Sequence, residues 1–155
     1  MTPVEIPVPA LSGEFEAKIV DPTGTPVNVI PRELDWKVEA DWYMEGALAP
    51  TLDGTWYLRV TLESMGPGQA LTSAEVTRDY SADGIPSGVF PNERMSFKHE
   101  VTFAANSIPT GSTLSRAYRG TALLTFADND GTPGPFAAVY DLGVIQIYNS
   151  PHLPD

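Results

Sequence analysis

Two runs of the chain alternate apolar and polar residues with almost no error: Leu34, Trp36, Val38, Ala40 and Trp42 in one, and Trp56, Leu58, Val60 and Leu62 in the other. In an extended strand every second side chain points to the same face, so each run predicts a strand with one dry face and one wet face. The three tryptophans of the protein all fall on the dry side. Strands of this kind belong to antiparallel sheets that stack face to face or close into a barrel.

The rest of the chain reads as more of the same material. A strand is expected from Gly13 to Asp21, with Phe15, Ala17 and Ile19 inward and Glu14, Glu16 and Lys18 outward. A turn at Asp21-Pro22-Thr23-Gly24 ends it, and Val27 to Ile30 forms a short edge piece before Pro31. The tryptophan strands occupy about 34–43 and 54–63, and the spacer between them suits a hairpin with a long loop. Further strands are expected at 73–80, 95–104, 119–127 and 136–148. In the second of these Met95, Phe97, Val101 and Phe103 face inward with His99 in register, and in the last Gly143 marks a bulge or bend. The connections 81–93 and 106–117 are long and rich in Gly, Pro, Ser and Thr, which is where rigid scaffolds carry recognition.

The prediction is an all-β, single-domain antiparallel β-sandwich of seven to eight strands with two long loops, of immunoglobulin-like or jelly-roll type. The resemblance to the immunoglobulin architecture is one of strand count, because the cysteine pair that flanks a tryptophan in that domain is missing. The 155 residues suffice for one core, and the 13 glycines and 15 prolines supply the turns. Residues 1–12 form an extended, proline-rich N-terminal arm, since Pro3, Pro7 and Pro9 bar a helix and a central strand position. Val4, Ile6 and Val8 share one side of that arm, as a segment lying on a sheet edge of its own domain or of a neighbour would require. Residues 13–148 make the sandwich, and 149–155 a loose C-terminal tail.

Composition removes several function classes. The absence of cysteine excludes disulfides, thiolate metal sites and a cysteine nucleophile, and it leans toward a reducing, cytoplasmic setting; a component of an extracellular or virion-like assembly is the alternative. Residues 1–10 have neither the basic flank nor the apolar run of a secretory signal. No run approaches the roughly 18 apolar residues of a membrane span. A net charge of −11 repels phosphate backbones and anionic lipid, so neither nucleic acid nor membrane insertion is expected.

Motifs with chemistry are scarce. Asp128, Asn129 and Asp130 before Gly131 resemble the start of a calcium loop, but the far glutamate is missing and the group reads as a hairpin turn. No Gly-x-Ser-x-Gly elbow and no phosphate-cradling glycine loop is present. His99 reads as a packed side chain rather than a base. The chain thus has no expected catalytic residue, metal or cofactor, and the leading reading is a non-catalytic module that acts by protein contact or self-association, with a homo-oligomer among its forms. Its candidate partner-binding residues are Val4, Ile6 and Val8 of the arm, Tyr43 and Tyr57 on the wet strand faces, and Phe90 and Tyr118 in the long loops. Two alternatives stand beside it. In one, Tyr43, Tyr57 and Trp42 on a common sheet face stack on a carbohydrate. In the other, two carboxylates such as Glu39 and Glu63 serve as acid and base of a hydrolase.

Overall fold

A computed structural model describes residues 2–4, 11–66, 70–73, 75–108, 115–131 and 133–149. The segments in order are β1 (Thr2–Pro3), β2 (Ser12–Val20), β3 (Val29–Pro31), β4 (Trp36–Glu45), β5 (Thr55–Ser64), β6 (Leu71–Thr72), β7 (Val76–Asp79), the one-turn helix α1 (Tyr80–Asp83), β8 (Ile85–Ser87), β9 (Arg94–Phe103), β10 (Ser115–Ala127) and β11 (Pro133–Tyr148). They form two sheets. The first runs β1-β2-β4-β9-β8, and the second runs β3-β11-β10-β5-β6 with β7 also on β5. Among the described residues every strand pairing is antiparallel except β3 with β11. Six long strands carry the sandwich and short segments finish its edges, which limits the unpaired main chain left for unwanted pairing.

Alternation governs the inner faces as expected. Trp36, Val38, Ala40, Trp42 and Met44 of β4 and Trp56, Leu58, Val60 and Leu62 of β5 are all buried. Trp42 and Trp56, one from each sheet, meet edge to face with ring centroids 6.0 Å apart. Phe97 stacks on Trp42 at 5.7 Å, and Phe126 packs on Trp56 at 4.8 Å. Neither indole N–H of this pair has a hydrogen-bond partner. Their surroundings are aromatic faces, which take an N–H far more weakly than a carbonyl does.

The two tryptophan strands do not form a hairpin. β4 pairs with β2 and β9, whereas β5 pairs with β10, β6 and β7, so the spacer 46–54 crosses from one sheet to the other. The reason is burial: two strands whose inner faces are both fully apolar cover each other better face to face, about 10 Å apart, than side by side. Smaller differences are local. The first tryptophan strand begins at Trp36, and Leu34 sits in a turn, its N–H on Pro31 O. The strand expected at 73–80 is shorter, because the Asp79 carboxylate takes Ala82 N–H at 2.7 Å and starts α1. Helix α1 drops Tyr80 into the core, where its hydroxyl donates to Ala49 O at 2.6 Å. Segment 81–93 is therefore a folded connection containing α1 and β8 rather than one long loop. β10 starts already at Ser115, inside the stretch read as loop, and residues 109–114 of that stretch lie outside the described residues. At Gly143 the strand does bulge: Gly120 faces Gly143 but Thr121 faces Asp141, and Gly143 has φ +79°, a conformation open to glycine.

Candidate interaction surface

The outer face of the first sheet is a lattice of charges. Lys37 lies 2.9 Å from Glu100 and 3.6 Å from Glu39, Lys18 reaches Glu39 at 3.8 Å, and Lys98 reaches Asp41 at 3.7 Å. Strand register sets this up, since Lys18, Glu39 and Glu100 lie in one row across β2, β4 and β9, and Asp41 and Lys98 face each other in the next. The hydrogen bond to Glu100 raises the Lys37 ammonium above its ordinary range. Tyr43, in this face, is already occupied. Its hydroxyl donates to Glu14 at 2.9 Å, and Arg94 stacks 3.8 Å above its ring. Burial first, and then the Glu14 carboxylate, raise the phenol.

The outer face of the second sheet has little of this. Thr61 faces Thr121, Thr125 faces Tyr57, and Leu123 faces Arg59 across β5 and β10, while Val139 of β11 stands exposed beside Leu123. At its bulge the Asp141 carboxylate takes Gly143 N–H at 2.8 Å and Arg119 at 2.7 Å. These two bonds, the main-chain one first, hold that carboxyl below its usual value.

These placements separate the residues named for the two alternatives. Tyr43 and Tyr57 occupy opposite outer faces, and Trp42 is buried between the sheets. These three aromatics therefore make no common platform for a sugar. Glu39 and Glu63 are likewise separated by the whole thickness of the sandwich, whereas a hydrolase needs its carboxylates about 5 to 9.5 Å apart across one bond. Tyr118 is not a loop anchor: it belongs to β10, points inward, and is only 1% exposed. In the arm, Val4 is buried against the chain's own β2 and donates its N–H to Gly13 O, while Ile6 and Val8 lie outside the described residues.

Phe90 is different. It is 72% exposed, next to Val89 at 79%, and Ile85 on the neighbouring β8 is 65% exposed. Val89 and Phe90 sit at the tip of the β8–β9 hairpin, where a tight turn holds them, while Ile85 opens β8 at the far end of the hairpin, opposite Ser96. Asn92 N–H closes on Val89 O at 2.8 Å, and Gly88 has φ +77°, with room for no side chain because an added Cβ would lie 2.8 Å from Asn92 O. A hollow of about 450 Å³ opens beside the tip, its lining including Leu11, Ala47 and Pro91. Sequence reasoning singled out Phe90 but passed over Val89 and Ile85. The signal available was an apolar pair flanked by glycine and proline, with no alternation to take it indoors.

Nothing among the described residues gathers three metal-ligating side chains. Asp128, Asn129 and Asp130 form the expected turn, with Gly131 N–H on Asp128 O and Asn129 bridging to Asp53 at 2.7 Å. His99 lies half-buried on the inner side of β9, in a hollow of about 360 Å³ bounded by Glu39, Asp41, Arg78, Lys98 and Glu100. Burial, and then the Arg78 cation, lower its imidazole below the ordinary value. No helix among the described residues is long and apolar enough to cross a membrane.

No family model matches the chain, and no curated protein sequence matches it. Among solved structures, a bacterial adhesin from Mobiluncus mulieris aligns with 89% of this chain at 8% identity and a TM-score of 0.46. The chain spans 57% of that adhesin's length. The CooA pilin subunit from enterotoxigenic Escherichia coli aligns with 87% of this chain and 99% of its own, at 12% identity and a TM-score of 0.39. Likeness this distant says nothing about what the chain binds.

Proposed function

We propose that the protein is a non-catalytic β-sandwich module that acts by contact, and that the hairpin tip bearing Val89 and Phe90 is where it meets a protein partner or another copy of itself. The observation that carries this reading is a large aromatic ring, 72% exposed, on a turn locked by its own main-chain hydrogen bond. An aromatic at a rigid position contributes most once a partner's pocket takes it from water, because little ordering entropy is then lost. Net charge favours a protein partner over lipid or nucleic acid, since a chain at −11 is repelled by both polyanions.

The test is a photo-reactive phenylalanine analogue placed at position 90, and separately at Thr23 on a distant turn, in cells that make the protein. The expected result is a discrete cross-linked adduct from position 90 that is missing from position 23, together with its loss when Val89→Ser is added. Equal labelling from both positions, or none from position 90, overturns the reading.

A further inference from the structure

Strand β9 is paired on one side only over most of its length. β8 covers its outer edge from Arg94 to Ser96 and stops there, and no strand among the described residues pairs with the outer edge at Lys98, Glu100 or Thr102, which β7 of the other sheet approaches only through Arg78. Two hydrogen bonds show which main-chain groups face out. Gly46 N–H donates to Glu93 O on the β4 side at 2.9 Å, and the Lys98 carbonyl, on the opposite parity, takes Arg78 Nε from the other sheet at 2.9 Å. Successive residues of an antiparallel strand direct N–H and C=O together to alternate sides. Lys98, Glu100 and Thr102 therefore offer donors and acceptors outward. A carbonyl oxygen has two lone pairs, so Arg78 leaves Lys98 able to accept again.

Such an edge is a template for one more strand, and the charges along it select which. When two copies of one strand pair about a twofold axis, the axis must fall on a residue pair, because hydrogen-bonded and non-hydrogen-bonded pairs alternate. Centred on Glu100, the register sets two carboxylates against each other. Centred on Val101, it leaves Glu100 opposite Thr102 and Lys98 opposite Ala104, with neither charge matched. Centred on His99, it puts Lys98 of each copy opposite Glu100 of the other, twice over, and these are the pairs that exchange main-chain hydrogen bonds. We propose that two copies of the chain join edge to edge through β9, antiparallel about His99, so that the first sheet continues across a dimer. β8 keeps the contact short, which places the association in the weak, transient class.

The two imidazoles face each other at the axis. His99 is half-buried, its Nδ1 enclosed within its own chain, so only the exposed part of each ring reaches the axis. Two neutral rings can approach each other there, whereas two protonated rings repel. The groups around each ring are Arg78 of β7, Asp83 of α1, Glu39 and Asp41 of β4, and Lys98 and Glu100 of β9 itself. The dimer is thus expected to dissociate as pH falls through the imidazole range.

Sedimentation equilibrium from micromolar to millimolar concentration at neutral pH tests the proposal. The wild-type chain is expected to move from monomer to dimer, Lys98→Glu to weaken this about tenfold by turning attraction into repulsion at two pairs, and Lys98→Glu combined with Glu100→Lys to restore it. His99→Gln is expected to keep the dimer together in acid. A monomer at every concentration overturns the proposal, as does a dimer that survives Lys98→Glu. A dimer abolished by Phe90→Ala but not by Lys98→Glu moves the contact to the tip. The edge and the tip share no residue, so failure here leaves the reading of Phe90 standing.

Discussion

The two outer faces of this sandwich arise from the same alternation of residues and carry opposite chemistry. On the first sheet, Lys18, Lys37, Glu39, Asp41, Lys98 and Glu100 form a continuous lattice of ion pairs. On the second, Thr61, Thr121, Thr125, Leu123 and Val139 make a face with few charges, and the close pair Arg119–Asp141 sits at its bulge. The difference teaches how loosely the fold constrains what faces water. Inner positions must fill a common core at crystal-like density, but outer positions need only be compatible with a strand, so their composition is free to serve solubility or contact.

The comparison is broken outright by removing what both faces rest on. Trp56→Ala is expected to destabilise the domain by about 3 to 5 kcal/mol, because a buried aromatic between the sheets leaves a cavity that the core cannot close. Urea unfolding followed at both sheets should show them lost together. Trp56→Phe is expected to do much less harm, since the indole N–H makes no hydrogen bond to lose.

Titration sharpens the comparison next. The folded-state imidazole of His99, at the open edge of the first sheet, lies below its unfolded value of 6.5. The unfolded chain therefore binds more protons between the two values, and stability is full above pH 6.5 and falls as pH drops toward the folded value. Asp141, on the second sheet, is lowered from 3.8, so its contribution is present above pH 3.8 and is lost only as pH falls through its lower folded value. Melting across pH is expected to show these as two separate losses, with His99→Gln erasing the upper one and Asp141→Asn reducing the lower, which Asp21, its carboxyl also held below 3.8 by the hydrogen bond from Thr23, shares.

Salt separates the faces by a smaller margin. Glu39→Gln, which removes the carboxylate shared by Lys18 and Lys37, is expected to lower the melting temperature slightly at low ionic strength and not at all in concentrated salt, where exposed charges are screened. Val139→Thr on the other face is expected to stay within about 0.5 kcal/mol of wild type at every salt concentration. A salt dependence shared equally by both variants would deny the contrast. Smallest of all, Phe90→Ala is expected to leave the melting temperature unchanged, because the ring touches water in the free protein.

Much of this was legible in the residues. The inward sets of β4, β5 and β9 follow from parity alone, and the turn at Asp128 to Gly131 and the bulge at Gly143 from the residue types that permit them. Even Tyr118 shares parity with Ala122, Leu124 and Phe126, all buried, and was obscured only by the loop-like Ser, Thr and Gly before it. What alternation could not reveal is which strand lies beside which. It left Trp42 and Trp56 as neighbours in a hairpin rather than as facing residues of two sheets, and so put Tyr43 with Tyr57 and Glu39 with Glu63 on one face instead of two. The side on which a residue stands is a local property of an extended chain, set within two or three residues by backbone geometry. The partner of a strand is chosen by the whole molecule, because main-chain hydrogen bonds are the same for every strand, and only the competition to bury all apolar faces at once decides among them.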